Sequence, residues 1–210
     1  MNLIQRFMRV FFNLLYHPFA FTYDLVAATV SFGRWKDWTY NILPFIDGTR
    51  VLELGHGPGH LQRILLDHGL VAVAIDESAP MGTLAKRRLG SSQKLARARA
   101  QKIPFASESF DSIVSTFPSE YIFDTQTLSE AHRVLRNSGR FIVLLAAWPG
   151  NPLLAWLFKV TGESLTDAYE SIQSKTEEAF AQANFQSEIQ IVEVKSGNLL
   201  FVIAKKEETE

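Results

Sequence analysis

The sequence predicts an α/β fold: a mostly parallel sheet with helices on both faces, a C-terminal antiparallel hairpin and an N-terminal helical lid. Three observations carry this. From Arg50 onward, short β-rich apolar runs alternate with helical patterns, the signature of parallel strands joined by crossover helices. The chain ends in two strand-like runs separated only by Lys195-Ser196-Gly197-Asn198, too short for a crossover and suited to a hairpin. At 210 residues the chain is of single-domain size and can bury a core without a metal or disulfide staple.

The first 23 residues hold two arginines and no acid before Asp24. On a helical period, Asn2, Gln5, Arg6, Arg9 and Asn13 fall on one side, and Leu3, Ile4, Phe7, Met8, Phe11, Leu14 and Leu15 on the other. This is an amphipathic helix, ended by His17-Pro18. Its apolar run is broken by Asn13 and lacks a small-residue cleavage site, so a secretory leader is not expected. No apolar stretch reaches the ~18 residues of a membrane span. Residues 1–49 are therefore read as a helical lid or cap on residues 50–210 of a cytoplasmic protein. Peripheral attachment of the helix to a membrane is the alternative.

Strands are expected near 51–54, 71–75, 95–98, 112–116 and 141–146, with helices near 60–68, 80–89 and 124–135 between them. Asp124 supplies an N-cap to the last of these, Leu128, Ala131 and Leu135 its core stripe, and Gly139 a stop signal. A helix near 174–183 opens with the capping-box spacing of Ser174 and Glu177. The strands 188–194 and 199–204 complete a sheet of seven. Residues 148–162, with Leu153, Leu154, Trp156, Leu157 and Phe158, fit neither pattern and read as an inserted apolar cover.

Composition removes whole classes of chemistry. With no cysteine there are no disulfides, thiolate zinc sites, iron–sulfur clusters or cysteine nucleophiles. A net charge of -1 gives no attraction to nucleic acid. The run of basic residues within 81–102 is read as a solvated face. No metal site is expected.

The densest signal is Val51-Leu52-Glu53-Leu54-Gly55-His56-Gly57-Pro58-Gly59-His60. A buried strand runs into three alternate glycines and then a helix, which lets a ligand approach backbone at a helix N-terminus. The second strand ends in Asp76, a carboxylate placed to accept both hydroxyls of a ribose. A dinucleotide fingerprint, Gly-x-Gly-x-x-Gly, would need a third glycine where His60 stands. Glu53, two residues before the first glycine, would repel a pyrophosphate but suits a ligand carrying a sulfonium and an ammonium. The pattern favours S-adenosylmethionine over NAD.

At these residues the sequence resembles the class I S-adenosylmethionine-dependent methyltransferases, and within them the ubiquinone/menaquinone biosynthesis methyltransferases. Ile103-Pro104-Phe105 followed by Ser109-Phe110-Asp111, and Glu130-x-x-Arg133-Val134-Leu135 leading to Gly139-Arg140-Phe141, extend the resemblance over 50–147. It implies a Rossmann-like sheet and a cofactor site. In that site Gly55, Gly57 and Gly59, with Glu53, His56 and Thr116, surround the methionine moiety, Asp76 and Glu77 lie at the ribose, and Ala100 and Gln101 lie near adenine. Two positions depart from the pattern: Arg99 stands where an acid usually serves the adenine amino group, and Ala74 where a glycine is common.

A sulfonium methyl is already activated, so positioning and exclusion of water are the main tasks, with a general base needed where the acceptor is protonated. The segment Thr116-Phe117-Pro118-Ser119-Glu120-Tyr121 faces the cofactor in this fold and offers Glu120 and Tyr121 as catalytic candidates. Tyr23 is expected at the methionine end. His60 is a further possible ligand contact, while His68 and His132 read as structural or solvated. The large apolar side chains of 1–21 and 148–162 favour an apolar or lipid-like small-molecule acceptor. Two alternatives stay open: a nicotinamide-dependent oxidoreductase, although no tyrosine is followed four residues later by lysine, and a cofactor-binding module without turnover.

Overall fold

The computed structural model describes residues 34–90, 94–148 and 165–207, with side chains from 173 onward in the last stretch. The N-terminal amphipathic pattern, Tyr23 and residues 149–162 of the apolar segment lie outside the described residues.

The strands are β1 (Arg50–Leu54), β2 (Val71–Asp76), β3 (Lys94–Arg97), β4 (Phe110–Thr116), β5 (Leu135–Trp148), β6 (Phe185–Val194) and β7 (Gly197–Lys206). The helices are α1 (Trp35–Tyr40), α2 (His60–Asp67), α3 (Ala79–Leu89), α4 (Thr125–Val134) and α5 (Leu165–Gln182). One seven-stranded sheet has the order β3-β2-β1-β4-β5-β7-β6. β1 pairs parallel with β2 and β4, whereas β7 runs antiparallel between β5 and β6. The expected fold class is therefore the one observed. β1 and β4 lie at the centre, so the loops leaving them open side by side at one edge of the sheet.

Apolar residues on alternate sides of the sheet build two cores. Leu52, Leu54, Ile113, Phe141, Val143 and Val202 join Leu128 and Val134 of α4 and Phe180 and Phe185 on one side. Val51, Val114, Ile142, Leu144 and Phe201 join Leu61 and Leu65 of α2 with Trp38 and Ile42 on the other. Trp38 also donates from its indole nitrogen to Ser196 Oγ at 3.0 Å, tying α1 to the β6–β7 turn.

Three boundaries differ from expectation. α5 already begins at Leu165, so Ser174 lies inside the helix and the Ser174–Glu177 spacing is not a capping box. Val194 pairs with Gly197, so the hairpin turn is Lys195-Ser196 alone. Gly139 is not a helix stop: α4 ends at Val134, β5 starts at Leu135, and Gly139 is inside the strand. A Cβ there would lie 2.8 Å from Arg136 O and 3.0 Å from Asp111 O, so the close approach of the backbone of β4 and of the preceding turn of chain requires the glycine.

Candidate functional site

The three glycines between β1 and α2 all have positive φ, 74° at Gly55, 50° at Gly57 and 85° at Gly59. Their surroundings separate their tasks. A Cβ on Gly55 would lie 2.6 Å from the Tyr121 hydroxyl, and one on Gly59 would meet Leu89 at 3.0 Å and Ala85 at 3.2 Å of α3. Protein packing thus accounts for both. At Gly57 a Cβ would meet no described residue within 4 Å. Gly57 is the point at which the loop backbone is bare toward a ligand.

Asp76, the last residue of β2, fixes this loop. Its Oδ2 accepts from Gly57 N–H at 2.8 Å and its Oδ1 from Ser78 N–H at 2.8 Å. Each carboxylate oxygen retains a second lone pair for a hydroxyl. His56 is buried, and its Nδ1 lies 2.6 Å from Gly57 O. A carbonyl can only accept, so Nδ1 carries the proton. Burial lowers the pKa of His56 against the opposing pull of Asp76 and of backbone hydrogen bonds. His56 locks the loop from within.

Glu53 is 1% exposed, and its Oε2 has no hydrogen-bond partner. Burial pushes its pKa up to about 8, with a smaller upward push from Asp76 and an opposing pull from Gln62. Gln62 of α2 is itself fully buried, with neither amide atom in hydrogen-bonding geometry. A buried carboxyl oxygen beside an unengaged amide is costly. A cationic group brought to the end of β1 would offset that cost, so the unpartnered Glu53 acceptor suits a ligand carrying an ammonium.

On the other side of Asp76, Ala100 packs at the margin of the core, and Gln101 Nε2 donates to Asp124 Oδ2 at 3.3 Å. Glu77 is exposed and pairs with Arg99 at 3.4 Å. The two motifs that flank this loop are physically one bracket. Arg133 donates to Phe105 O at 2.8 Å and Ile103 O at 2.9 Å, and binds Glu130 at 2.6 Å and 2.8 Å. Glu130 Oε2 in turn accepts from Ile103 N–H at 2.8 Å.

The end of β4 closes the site. Ser115 Oγ donates to Leu54 O at 2.8 Å, and the Tyr121 hydroxyl to the same oxygen at 3.2 Å. Tyr121, on the short 3-10 turn Glu120–Phe123, is thereby held over Gly55, while Glu120 at the start of that turn is exposed. Thr116 is half-buried at the strand end. Phe117 has φ 49°, its N–H donates to Leu144 O at 2.7 Å, and its ring meets Trp35 with centroids 4.1 Å apart.

Glu53, Gly55, His56, Gly57, Gly59 and Asp76 thus meet at the ends of β1 and β2, with Thr116 and Tyr121 beside them and Ala100 and Gln101 on the far flank. Glu77 turns to an exposed ion pair with Arg99. Gln62, Ser115 and Phe117 were not foreseen. Gln62 interrupts the apolar face of α2, and Ser115 interrupts an apolar strand, which are the signals each left. A left-handed phenylalanine leaves none. Among the described residues no group of three or more His, Asp or Glu could hold a metal.

The family described as "Methyltransferase domain" matches residues 52–143, which include Glu53, the glycine loop, Asp76, Gln101 and Tyr121. The ubiquinone/menaquinone biosynthesis C-methyltransferase UbiE of Geotalea uraniireducens is 29% identical over 65% of this chain and 63% of that protein. A demethylmenaquinone methyltransferase of Mycolicibacterium paratuberculosis is 33% identical over 65% of this chain and 60% of that protein. The chain therefore spans less than two thirds of the length of either relative. Phosphoethanolamine N-methyltransferase 2 of Haemonchus contortus, solved with S-adenosyl-L-methionine, shares the fold with a TM-score of 0.61 at 17% identity, over 84% of this chain and 53% of that one. The glycine loop, the Asp76 anchor and the central strands all fall within the matched residues 52–143, so over that segment the chain is similar to S-adenosylmethionine-dependent methyltransferases in both sequence and fold.

Proposed function

We propose that this chain methylates a small, apolar acceptor of quinone type. The observation that carries the cofactor half is the bare backbone at Gly57, flanked by Asp76 and by a buried Glu53 carboxyl oxygen without a partner. The acceptor half is supported by relatives whose names specify ubiquinone, menaquinone or demethylmenaquinone chemistry. Of the expected cover, 1–49 and 148–162, the parts proposed to roof the acceptor are 1–33 and 149–162, which concentrate large apolar side chains, because Trp38 and Ile42 are buried in the core and Trp148 ends β5. Among the described residues no helix is long and apolar enough to cross a membrane.

S-adenosylmethionine, when bound, supplies an activated methyl group. Gly57 lets that ligand approach backbone, Glu53 answers its ammonium, Asp76 takes its ribose hydroxyls, and Ala100 and Gln101 flank its base. Thr116 and Tyr121 line the reacting end, with Tyr121 oriented by Leu54 O. Methylation at an acceptor carbon or oxygen releases a proton, and Glu120, whose side chain is exposed beside this end, is the candidate to take it.

Calorimetry with S-adenosylmethionine and S-adenosylhomocysteine, followed by turnover to S-adenosylhomocysteine with quinol and polar acceptors, tests both halves. Asp76→Ala removes charge-assisted hydrogen bonds of about 1.5–3 kcal/mol each, so affinity is expected to fall at least tenfold. Unchanged affinity would remove Asp76 from the site. Turnover on a polar acceptor but on no quinol would reject the acceptor assignment, and cofactor binding without turnover on either would leave a binding module.

A further inference from the structure

Gln62 stands in the first turn of α2 as a fully buried amide between the buried apolar side chains of Leu61 and Leu65. Neither its Oε1 nor its Nε2 has a hydrogen-bond partner among the described residues. Glu53 follows Val51 by two residues on β1 and so shares the strand face that packs on α2. There it adjoins Gln62, is 1% exposed, and leaves Oε2 equally without a partner. Two buried polar groups left idle side by side cost stability that an apolar pair of the same shape would not. The arrangement is incomplete without a further charged group.

We infer that Gln62 positions Glu53 as an ammonium receptor, and that a ligand ammonium arriving at the end of β1 displaces a proton from the Glu53 carboxyl to solvent. This rests on the cofactor reading above and adds to it the residue and the proton on which recognition turns. The neutral carboxyl loses H⁺ to the buffer and the ammonium takes its place, so the Glu53–ammonium pair is as neutral as the carboxyl was. The carboxylate formed has lone pairs for both the ammonium and the Gln62 amide N–H. A charged acceptor roughly doubles the strength of the hydrogen bond that Gln62 gives. Gln62 thus eases the ionisation of Glu53 without carrying a charge itself. The surrounding groups leave this role to the ligand. Burial, with a smaller push from Asp76, raises the Glu53 pKa to about 8 and keeps the empty site protonated at neutral pH. Burial lowers the pKa of His56, so it is neutral there and supplies no cation. Of the other ionisable side chains on the helices that pack on this face, Lys36, Asp37 and Tyr40 of α1 and Arg63 and Asp67 of α2 are exposed, and His60 is half-buried.

The test counts protons on the full chain. S-adenosylhomocysteine, which carries the ammonium but no reactive methyl, is titrated calorimetrically at pH about 7 in phosphate and in Tris. The two buffers differ in ionisation heat, so the difference between the titrations gives the protons released. Nearly one proton per ligand is expected, and none with 5′-methylthioadenosine, which lacks the ammonium. Affinity for S-adenosylhomocysteine should rise close to tenfold per pH unit and level off at about 8. Glu53→Gln should abolish the release. At pH about 8 the parent should release about half a proton, and Gln62→Leu, deprived of the amide that favours the carboxylate, nearer one, with binding weakened at least tenfold. Saturable binding without release in the parent, release with 5′-methylthioadenosine, or release that persists in Glu53→Gln overturns the inference. Weaker binding in Gln62→Leu with an unmoved proton count overturns the role given to Gln62, since a merely structural amide would act in that way. If neither ligand binds the parent, the cofactor reading itself fails. The buffer comparison on the parent decides the matter even where a variant does not fold.

Discussion

Three glycines two residues apart sit in three different surroundings, and substitution should separate them. At Gly59, alanine meets both left-handed strain and contacts with Ala85 and Leu89 at 3.0–3.3 Å. Gly59→Ala is expected to lower stability by about 1–3 kcal/mol. Gly57→Ala meets strain but no atom of a described residue, so it should cost less stability yet weaken S-adenosylmethionine binding at least tenfold. Urea denaturation and calorimetry on the two variants measure the split; a Gly57→Ala protein with native affinity would place the ligand elsewhere. Glu53 makes a second prediction. Its pKa, about 8 in the fold against 4.5 ordinarily, means that the folded state holds this proton more tightly than the unfolded chain. Its contribution to stability is therefore complete below pH about 4.5 and is lost as pH rises through about 8. Without cofactor, Glu53→Gln should flatten the fall in Tm across that window and raise Tm at its upper end. An unchanged slope in the variant would show that the carboxyl is not the titrating group.

Elements show why separate sequence motifs belong together. Ile103-Pro104-Phe105 and Glu130-x-x-Arg133 are far apart in sequence, but Arg133 ties the loop after β3 to α4 through two backbone carbonyls. Lysine offers one compact ammonium in place of the planar fork. Arg133→Lys is expected to cost about 1–3 kcal/mol, the lower part of that range reflecting partial exposure. It should also speed hydrogen exchange in 99–105 while leaving β1 unchanged; uniform exchange across both would refute the bracket. What the sequence made legible follows the same logic. Strands bounded by glycines and charged ends, such as β1, β2 and β4, are written in local residues, and so is the alternate-glycine loop. The start of α5 is not, because Ser174 and Glu177 fit a capping box equally well inside a helix, and only the chain before them decides. Gly139 looked like a helix stop because its true constraint, the carbonyls of Arg136 and Asp111, comes from chain segments brought together by folding. The left-handed backbone of Phe117 is set by Leu144 and Trp35, neither adjacent in sequence. The pieces of the site that were missed are those defined by tertiary partners.

At the scale of the whole molecule, one strand links both cores to the site. β7 sits between β5 and β6, with Phe201 fully buried on one face beside Phe45, ring centroids 4.9 Å apart, and Val202 buried on the other. β5 pairs in turn with β4, whose end carries Thr116 and Phe117. Emptying the Phe201 position removes support far from the cofactor loop but within the same sheet. Phe201→Ala is expected to cost about 3–5 kcal/mol, a large share of a typical total of about 5–15 kcal/mol. Ile191 on the edge strand β6 is 50% exposed, and Ile191→Ala should stay within about 0.5 kcal/mol of the parent. If the sheet behaves as one cooperative unit, circular dichroism and the fluorescence of Trp35 and Trp38, read in a Trp148→Phe/Trp156→Phe background that removes the other two tryptophans, will report a single shared midpoint in the Phe201→Ala protein. The fluorescence probe lies on α1, against Phe117, so it reads the site side of the fold. An α1 transition that precedes loss of the sheet would mean that the site melts as a separate unit, and the sheet would then not be what holds it.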